Sequence, residues 1–273
     1  MGASESRNGG ALPTRRWLPR CLLAGWVLCG AACASLSDGD DSLAPAWRCL
    51  DGLPPAAGPE AVAEPARVDI GFRDLFQAMP LRNLAVRACL AIDSSCTSPV
   101  SPSLNSDDDG RVVLDLYRGF DGYLEIQGEG ILSSLVFLPI VQQDQSLGTM
   151  GLVPDANLRT FNTNFNAGIE FEKGHLVVFV RDCDGLPAAG VALETDVLSR
   201  RFYMVGGLPE FTSTRSSTAG VGGFLNIENA GARVVGSLTL ADGNDFAVGS
   251  RTFAIRQGWV TFGDVGAGRL GAQ

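Results

Sequence analysis

The stretch RDCDGLPAAGVAL at 181–193 decides the fold, because a weaker version of it, RDLFQAMPLRNLAV, lies at 73–86. Each version has an aspartate at the end of an apolar run, then a short break, a proline and a second run. Aspartate accepts hydrogen bonds from turn amides, glycine admits a positive φ, and proline has no amide to donate to a sheet. The recurring residues therefore indicate a structural turn that occurs twice.

The repetition continues downstream of this turn. Pro80 and Pro187 lie 107 residues apart, and aligning them places Leu84 over Val191. A period of this length is too long for a solenoid and suits tandem domains of about 100 residues. Each copy then has a turn that ends in glycine, at 106–110 in the first copy and 217–220 in the second. A second glycine turn leads into a strand, at 119–126 in the first copy and 229–235 in the second.

Apolar patterning favours strands in both copies. Residues 84–93 alternate strictly between two faces, which predicts a half-buried strand, and 176–180 are apolar on both faces, as in a central strand. The sequence predicts an all-β fold: two tandem Greek-key β-sandwiches, a short helix between them and a disordered N-terminal signal and tether. The predicted segments are a signal peptide with lipobox (1–33), a flexible tether (34–65), a first sandwich (66–150), a helical linker (151–170) and a second sandwich (171–273).

The stretch PDANLRTFNTNFNAG between the copies predicts the helix. Asp155 is the expected N-cap and Gly168 the expected stop. Three apolar side chains fall on one helical face and are expected to pack on a sandwich: Leu158, Phe161 and Phe165.

The N-terminal segment has the pattern of a secretory signal peptide. Arg15, Arg16 and Arg20 precede the apolar run at 21–33, which is shorter than the roughly 20 residues that a transmembrane helix needs. Export is therefore predicted. The acidic, Pro-rich chain that follows is typical of a tether.

Two processing routes remain open at the end of this segment. The run Gly30 to Cys33 resembles a bacterial lipobox, in which small residues precede a cysteine that receives the lipid; it departs from the usual pattern because leucine is absent at the position of Gly30. Ala32-Cys33-Ala34 also satisfies the small-x-small rule of ordinary signal peptidase, which would release a soluble protein. Lipidation at Cys33 is the preferred prediction, and Ala34 by resemblance favours the outer membrane.

The formal net charge is −9, and residues 1–32 contribute +3, so the chain without them carries about −12. An acidic chain without a basic patch repels phosphate backbones, which excludes nucleic acid as an expected partner. With 45% hydrophobic and 19% charged residues the body is expected to be globular.

Beyond the signal segment, four cysteines in an oxidising compartment favour disulfides, with three possible connectivities. Cys89 and Cys96 flank LAIDSS and are placed to close one hairpin tip, which leaves Cys49 for Cys183, each beside an Asp-Gly-Leu-Pro turn. No CxxC pair occurs, so a zinc site is not expected.

No catalytic, metal-binding or cofactor-binding residue is predicted. His175 is the only histidine and is expected at the surface; a Ser-His-Asp triad is disfavoured because GxSxG is absent. Asp107, Asp108 and Asp109 could aim two carboxylates at calcium, but they lack the spacing of a calcium loop, so a solvated turn is predicted.

Two further groups are weaker candidates. A glycosidase needs two carboxylates about 5 to 9 Å apart, and the possible members are Glu125, Glu129, Asp182 and Asp184. Aromatic side chains could stack on sugars, although sandwich cores use them routinely: Trp259, Tyr123, Tyr203 and Phe211.

The pattern V-x-D-x-x-G-x-P-x-x-G-V, followed by a glycine turn, resembles the carboxypeptidase regulatory-like domain, which is similar to the transthyretin (prealbumin) fold. The second copy matches it from 178 to 235; the first is looser, with Asn83 at the place of Gly190. The chain also resembles predicted lipoproteins of Gram-negative bacteria that have paired cysteines and a Gly-Phe-x-Gly-Tyr turn, here 119–123. The resemblance implies sandwich modules without a catalytic domain.

These observations favour a non-enzymatic, exported cell-envelope lipoprotein with two structural or adhesive β-sandwich modules. Its expected partners are the membrane, through a lipid anchor, and an envelope protein or glycan. Its expected location is the outer membrane or periplasm, or the cell surface. Carbohydrate or peptidoglycan binding is the alternative, and a hydrolase with paired carboxylates has the least support.

Overall fold

The computed structural model describes residues 44–50 and 64–266. The predicted signal peptide, Cys33 and most of the tether lie outside the described residues. Among the described residues, no helix is both long and apolar enough to cross a membrane.

The first sandwich consists of two facing sheets, and the chain passes from one sheet to the other between strands. One sheet has the strand order β4-β1-β7, and the strands β2, β3, β5 and β6 form the facing sheet. The strands are β1 (Pro65–Asp74), β2 (Ala85–Leu90), β3 (Leu104–Asn105), β4 (Arg111–Tyr117), β5 (Gly122–Gln127), β6 (Ser134–Phe137) and β7 (Gln145–Leu152). The alternation predicted for 84–93 holds over the first part of β2, where Val86 and Ala88 are completely buried in the core between the sheets. It does not extend to 93: Cys89 on the other face is also completely buried, the strand ends at Leu90, and Ile92 is 92% exposed.

The second sandwich repeats this arrangement. The order β11-β10-β12-β8-β15 forms one sheet, and β14-β13-β9 forms the other. The strands are β8 (Gly174–Arg181), β9 (Ala192–Thr195), β10 (Arg200–Val205), β11 (Leu208–Glu210), β12 (Val221–Ile227), β13 (Gly231–Thr239), β14 (Asp245–Ala254) and β15 (Val260–Gly266).

Strand pairing shows which elements of the two copies correspond. β1 pairs antiparallel with β4 and parallel with β7, as β8 pairs antiparallel with β12 and parallel with β15. The antiparallel series β2-β5-β6 corresponds to β9-β13-β14. The second copy adds the β10–β11 hairpin at its edge.

β15 joins the two copies into one nine-stranded sheet, because it lies between β8 and β6 and is parallel to both. Val260 and Phe262 of β15 pack into the core of the first copy, and Val265 packs into the core of the second. Side chains alternate across a strand, so one strand completes two cores on opposite faces.

The helix α1 (Asp155–Phe165) lies between the copies. Asp155 is not the N-cap: Pro154 has that position, and Asp155 binds Arg159 one turn later at 2.8 Å. The helix ends before Gly168, at Asn166, which has the left-handed conformation.

The apolar stripe of α1 is only partly buried. Leu158 and Phe161 pack on a small cluster that includes Ile169, Phe202 and Leu225. Phe165 remains 54% exposed. The helix therefore covers the outer face of the second sandwich through Leu158 and Phe161, two of the three side chains that were predicted to pack.

The predicted all-β fold of sandwiches with a short helix is confirmed. The shared sheet was not predicted, because it depends on pairing between strands more than 100 residues apart in the chain. The division of the chain into sandwiches at 66–150 and 171–273 stays a prediction.

Candidate functional site

The repeated turn uses its aspartate in the same way in both copies. Asp182 Oδ1 accepts the backbone N–H of Asp184 at 3.0 Å and of Leu186 at 2.9 Å. Asp74 Oδ1 accepts the N–H groups two and three residues later, at 2.7 and 2.9 Å. Both carboxylates therefore hold the backbone of a loop.

A buried serine forms the other half of each turn. Ser216 Oγ accepts the N–H of Val191 at 3.0 Å and donates to the carbonyl of Ala188 at 2.8 Å. Ser106 Oγ accepts the N–H of Leu84 at 2.9 Å and donates to the carbonyl of Leu81 at 2.7 Å. Sequence reasoning missed these serines as bridging groups, although each lies four residues before a turn glycine.

That glycine is required by the backbone in both copies. A Cβ atom on Gly220, where φ is +60°, would lie 2.7 Å from the carbonyl oxygen of Val180. On Gly110, where φ is +74°, it would lie 2.3 Å from the carbonyl oxygen of Phe72. The aspartate, serine and glycine thus make one structural unit that holds the backbone of the turn.

The most buried carboxylate of the weak glycosidase candidates is Glu125, which is 3% exposed on β5. Arg87 on the neighbouring strand donates to Oε1 from Nε at 3.1 Å and Nη2 at 2.7 Å. Arg256 donates to Oε2 and, at 3.1 Å, to the hydroxyl of Tyr123. Burial raises the pKa of Tyr123, and Arg256 opposes that shift. Both carboxylate oxygens of Glu125 therefore accept hydrogen bonds from arginine side chains.

This charged cluster lies at the joint between the copies. Arg256 precedes β15 in the second copy, whereas Glu125 belongs to the first. Arg251 on β14 makes a second polar connection, to the carbonyl of Leu138 at 3.0 Å and to Asp121 at 3.3 Å. These polar contacts add to the β6–β15 pairing in holding the two copies together.

His175 is buried, not at the surface as predicted: it is 4% exposed at the start of β8. Nδ1 accepts the N–H of Asn226 at 3.3 Å, and Nε2 has no hydrogen-bond partner among the described residues. Burial lowers the pKa of His175 to about 4, against the opposing effect of Glu170 and Glu172. The imidazole is therefore neutral at pH 7. Its position as the first register partner of β15 explains the burial, which a single sequence position does not reveal.

Disulfide bonds join Cys89 to Cys96 and Cys49 to Cys183, with Cα–Cα distances of 5.4 and 5.9 Å. The second bond holds the short 3-10 helix Pro45–Leu50 against the repeated turn of the second copy. The N–H of Cys183 also donates to the carbonyl of Ala46 at 3.0 Å. Trp47, which is 4% exposed, inserts into the core.

In the described part of the chain, one group of three potential metal-ligand atoms converges, from Cys89, Cys96 and Glu125. The two sulfurs are bonded to each other, and both carboxylate oxygens accept hydrogen bonds from arginine. These atoms do not suit a metal ion, because cysteine binds a metal as a thiolate and a disulfide sulfur is not a thiolate.

The acidic turn at 107–110 is held by its own backbone. Asp107 Oδ1 accepts the N–H of Asp109 at 3.0 Å and of Arg111 at 2.7 Å. Asp108 has a side chain that is 95% exposed. Glu129 and Asp184 are also exposed, on loops of different copies.

The aromatic candidates are mostly unavailable for stacking on a sugar. Tyr123 and Tyr203 are completely buried. Phe211 has the guanidinium of Arg200 over its ring at 3.9 Å, and Trp259 has that of Arg256 at 4.9 Å.

A cavity of about 380 Å³ lies between β7 and the shared sheet. Its walls include Ile70, Leu147 and Phe179, and its charged groups include Arg181 and Asp264, which pair at 2.7 Å. The ion pair neutralises these two charges, so they offer little to a charged ligand.

No family model matches this chain, and no curated protein matches it. Among solved structures, the shaft pilin SpaA of Lactobacillus rhamnosus GG is 9% identical, with coverage of 75% of this chain and 97% of that chain and a TM-score of 0.23. BcpA, the major pilin subunit of Bacillus cereus, is 7% identical over 71% of this chain and 69% of that chain, with a TM-score of 0.26.

GBS52, the minor pilin of the Gram-positive pathogen Streptococcus agalactiae, is 10% identical over 73% of this chain and 94% of that chain, with a TM-score of 0.23. At these identities and scores, the similarities identify neither a family nor a function.

Proposed function

We propose that this protein is a non-enzymatic, exported lipoprotein of the cell envelope whose two sandwiches serve a structural or adhesive role. The carboxypeptidase regulatory-like resemblance and the transthyretin-like type of the modules belong to this proposal. So does the location in the outer membrane or periplasm.

The observation that carries the non-enzymatic role is the use of the buried carboxylates. Glu125 is neutralised by two arginines, while Asp74 and Asp182 accept hydrogen bonds from turn amides. A general acid or base needs a carboxylate oxygen that the substrate can reach. These three carboxylates are committed to the fold instead.

Export is supported by two independent features. The N-terminal residues have the charge and apolar pattern of a signal peptide. All four cysteines of the described residues are paired, and such bonds persist in oxidising compartments.

The anchor is tested by metabolic labelling with a fatty-acid analogue in cells that produce the full chain. We expect label on the wild type and none on Cys33→Ala. Cys29→Ala is the matched control, because it also removes a signal-segment cysteine and should retain the label. An unlabelled wild type would contradict the lipoprotein proposal and favour release as a soluble protein.

A further inference from the structure

One end of the second sandwich presents apolar side chains from two loops. Leu186 in the repeated turn is 59% exposed, and Val205 and Leu208, which flank the tip of the β10–β11 hairpin, are 45% and 51% exposed. Between them, Gly206 and Gly207 have positive φ values, and a Cβ atom on either would meet nothing within 4 Å. The hairpin tip therefore projects from the body.

Strand register places the two loops together. β8 runs into the turn that contains Leu186, and β12 begins beside it, since Val221 pairs with Phe179. β10 ends at the same level, because Tyr203 pairs with Gly222. We name this end of the second sandwich, formed by 183–187 and 205–208, the apolar end.

The described segment 44–50 lies at this end. The disulfide Cys49–Cys183 and the burial of Trp47 hold the 3-10 helix against the turn at 183–187. Ten residues lie between Cys33 and Ala44. If these residues form the tether that the sequence predicts, a chain of that length would span roughly 20 Å on average and about 36 Å when fully extended.

We propose that the apolar end is the membrane-contacting surface, with the headgroup and upper acyl region of the bilayer as its occupant. The inference rests on the proposed lipidation of Cys33. A lipid at that cysteine would hold the attachment point, at the average span of such a chain, closer to the bilayer than the length of β8, which is about 26 Å. The exposed apolar groups are then the nearest part of the described body to lipid.

The contact has an apolar character rather than an electrostatic one. The chain without residues 1–32 carries about −12, so an anionic surface repels it as a whole. Leu186, Val205 and Leu208 provide the attraction by leaving water. Orientation at the bilayer should therefore change little with salt.

This orientation directs the repeated turn of the first copy away from the membrane. β6 is parallel to β15 and β15 to β8, while β2 is antiparallel to β5 and β5 to β6. β2 and β8 therefore point in the same direction. However, β2 begins after the turn of the first copy, whereas β8 ends at the turn of the second copy. The first-copy turn, with its exposed Leu75, Phe76 and Met79, lies at the opposite strand ends of the shared sheet.

The test uses an environment-sensitive fluorescent dye on the acylated, full-length protein in vesicles of phosphatidylcholine and phosphatidylethanolamine. The dye is attached at Leu208→Cys, with Leu186→Cys as a second site. Leu198→Cys is the matched control: it is 92% exposed and lies before β10, at the other end of the sandwich. We expect the dye to brighten at least twofold at 208 and 186 upon addition of vesicles, and to stay unchanged at 198.

Fatty-acid labelling of the same preparations separates the possible failures. A protein that carries the label but gives no brightening at 208 and 186, or equal brightening at 198, overturns the membrane-facing assignment and leaves the anchor intact. A protein without the label overturns both the anchor and the assignment.

Discussion

The turn of the second copy and its counterpart in the first have the same internal hydrogen bonds but different surroundings. In the second copy a disulfide-linked segment is bound to the turn at Cys183 and inserts Trp47 into the core, although Leu186 of the turn remains 59% exposed. In the first copy the equivalent loop leaves Leu75, Phe76 and Met79 more than half exposed. The backbone conformation of this turn is thus independent of what covers it, so its surface is free to differ.

The looser match of the first copy has a local explanation. Asn83 occupies the place of Gly190, and their φ values are +58° and +84°. Asparagine is among the few residues with a side chain that tolerate this region. The sequence departure therefore preserves the conformation.

The disulfides should give the largest contrast between the copies. Cys49 and Cys183 are 134 residues apart, and Cys89 and Cys96 are 7 apart. Loop-closure entropy predicts that replacing the first pair by alanine lowers the free energy of unfolding by about 5 kcal/mol and replacing the second pair by about 2.5 kcal/mol. Guanidinium denaturation of the two double variants measures both values. Equal losses would contradict the claim that the covering segment distinguishes the copies.

The turn glycine should be equally sensitive in both copies. We expect Gly220→Ala and Gly110→Ala each to lower stability by about 3 kcal/mol, because the new methyl group clashes with a backbone carbonyl at positive φ. Gly190→Ala is the matched control, since its Cβ would meet a first atom only at 3.9 Å. It should cost only about 1 kcal/mol, from the left-handed conformation. Thermal unfolding that showed equal losses at 190 and 220 would refute the steric argument.

His175 should give the second copy a contribution to acid sensitivity between pH 6.5 and 4. The pKa of His175 is about 4 in the folded protein, against 6.5 ordinarily, so the unfolded chain takes up the proton first as the pH falls. The contribution is fully present above pH 6.5 and is lost by pH 4, a change of about 3 kcal/mol. Urea denaturation at several pH values should show this loss in the wild type.

His175→Gln is the control for that titration, since it keeps a polar side chain without a group that ionises. Its stability should fall less between pH 6.5 and 4 than that of the wild type. The aligned residue of the first copy is Arg67, which is exposed and is not a histidine. An identical pH profile for wild type and variant would contradict the assigned burial effect.

The bridging serines should give the smallest effect and the closest agreement between copies. Ser216→Ala and Ser106→Ala each leave a buried backbone N–H unpaired, that of Val191 and of Leu84 respectively. We expect each to lower stability by about 1 to 2 kcal/mol. Chemical denaturation of the pair tests this, and a loss in one copy only would show that the hydrogen bonds are not equivalent. Ser250→Ala, on the exposed face of β14, should have almost no effect.

Sequence reasoning was most successful where the cause is local. The turns at 181–193 and 73–86 follow from residue types that restrict φ or accept amide hydrogen bonds within a few positions. It was wrong about His175, because exposure depends on which strands cover a residue. It also misplaced the helix ends, where Pro154 and Asn166 have the roles expected of Asp155 and Gly168.

The amino-acid sequence by itself determined the strand pattern, the duplicated turn and the separation of polar from apolar faces, since these depend on neighbours along the chain. The tertiary structure alone decided that β15 completes both cores, that Arg256 neutralises Glu125 across the two copies, and that the 3-10 helix covers one turn and not the other. Pairing between sheet edges and burial of charge depend on groups far apart in sequence, which carry no signal in either segment when it is read separately.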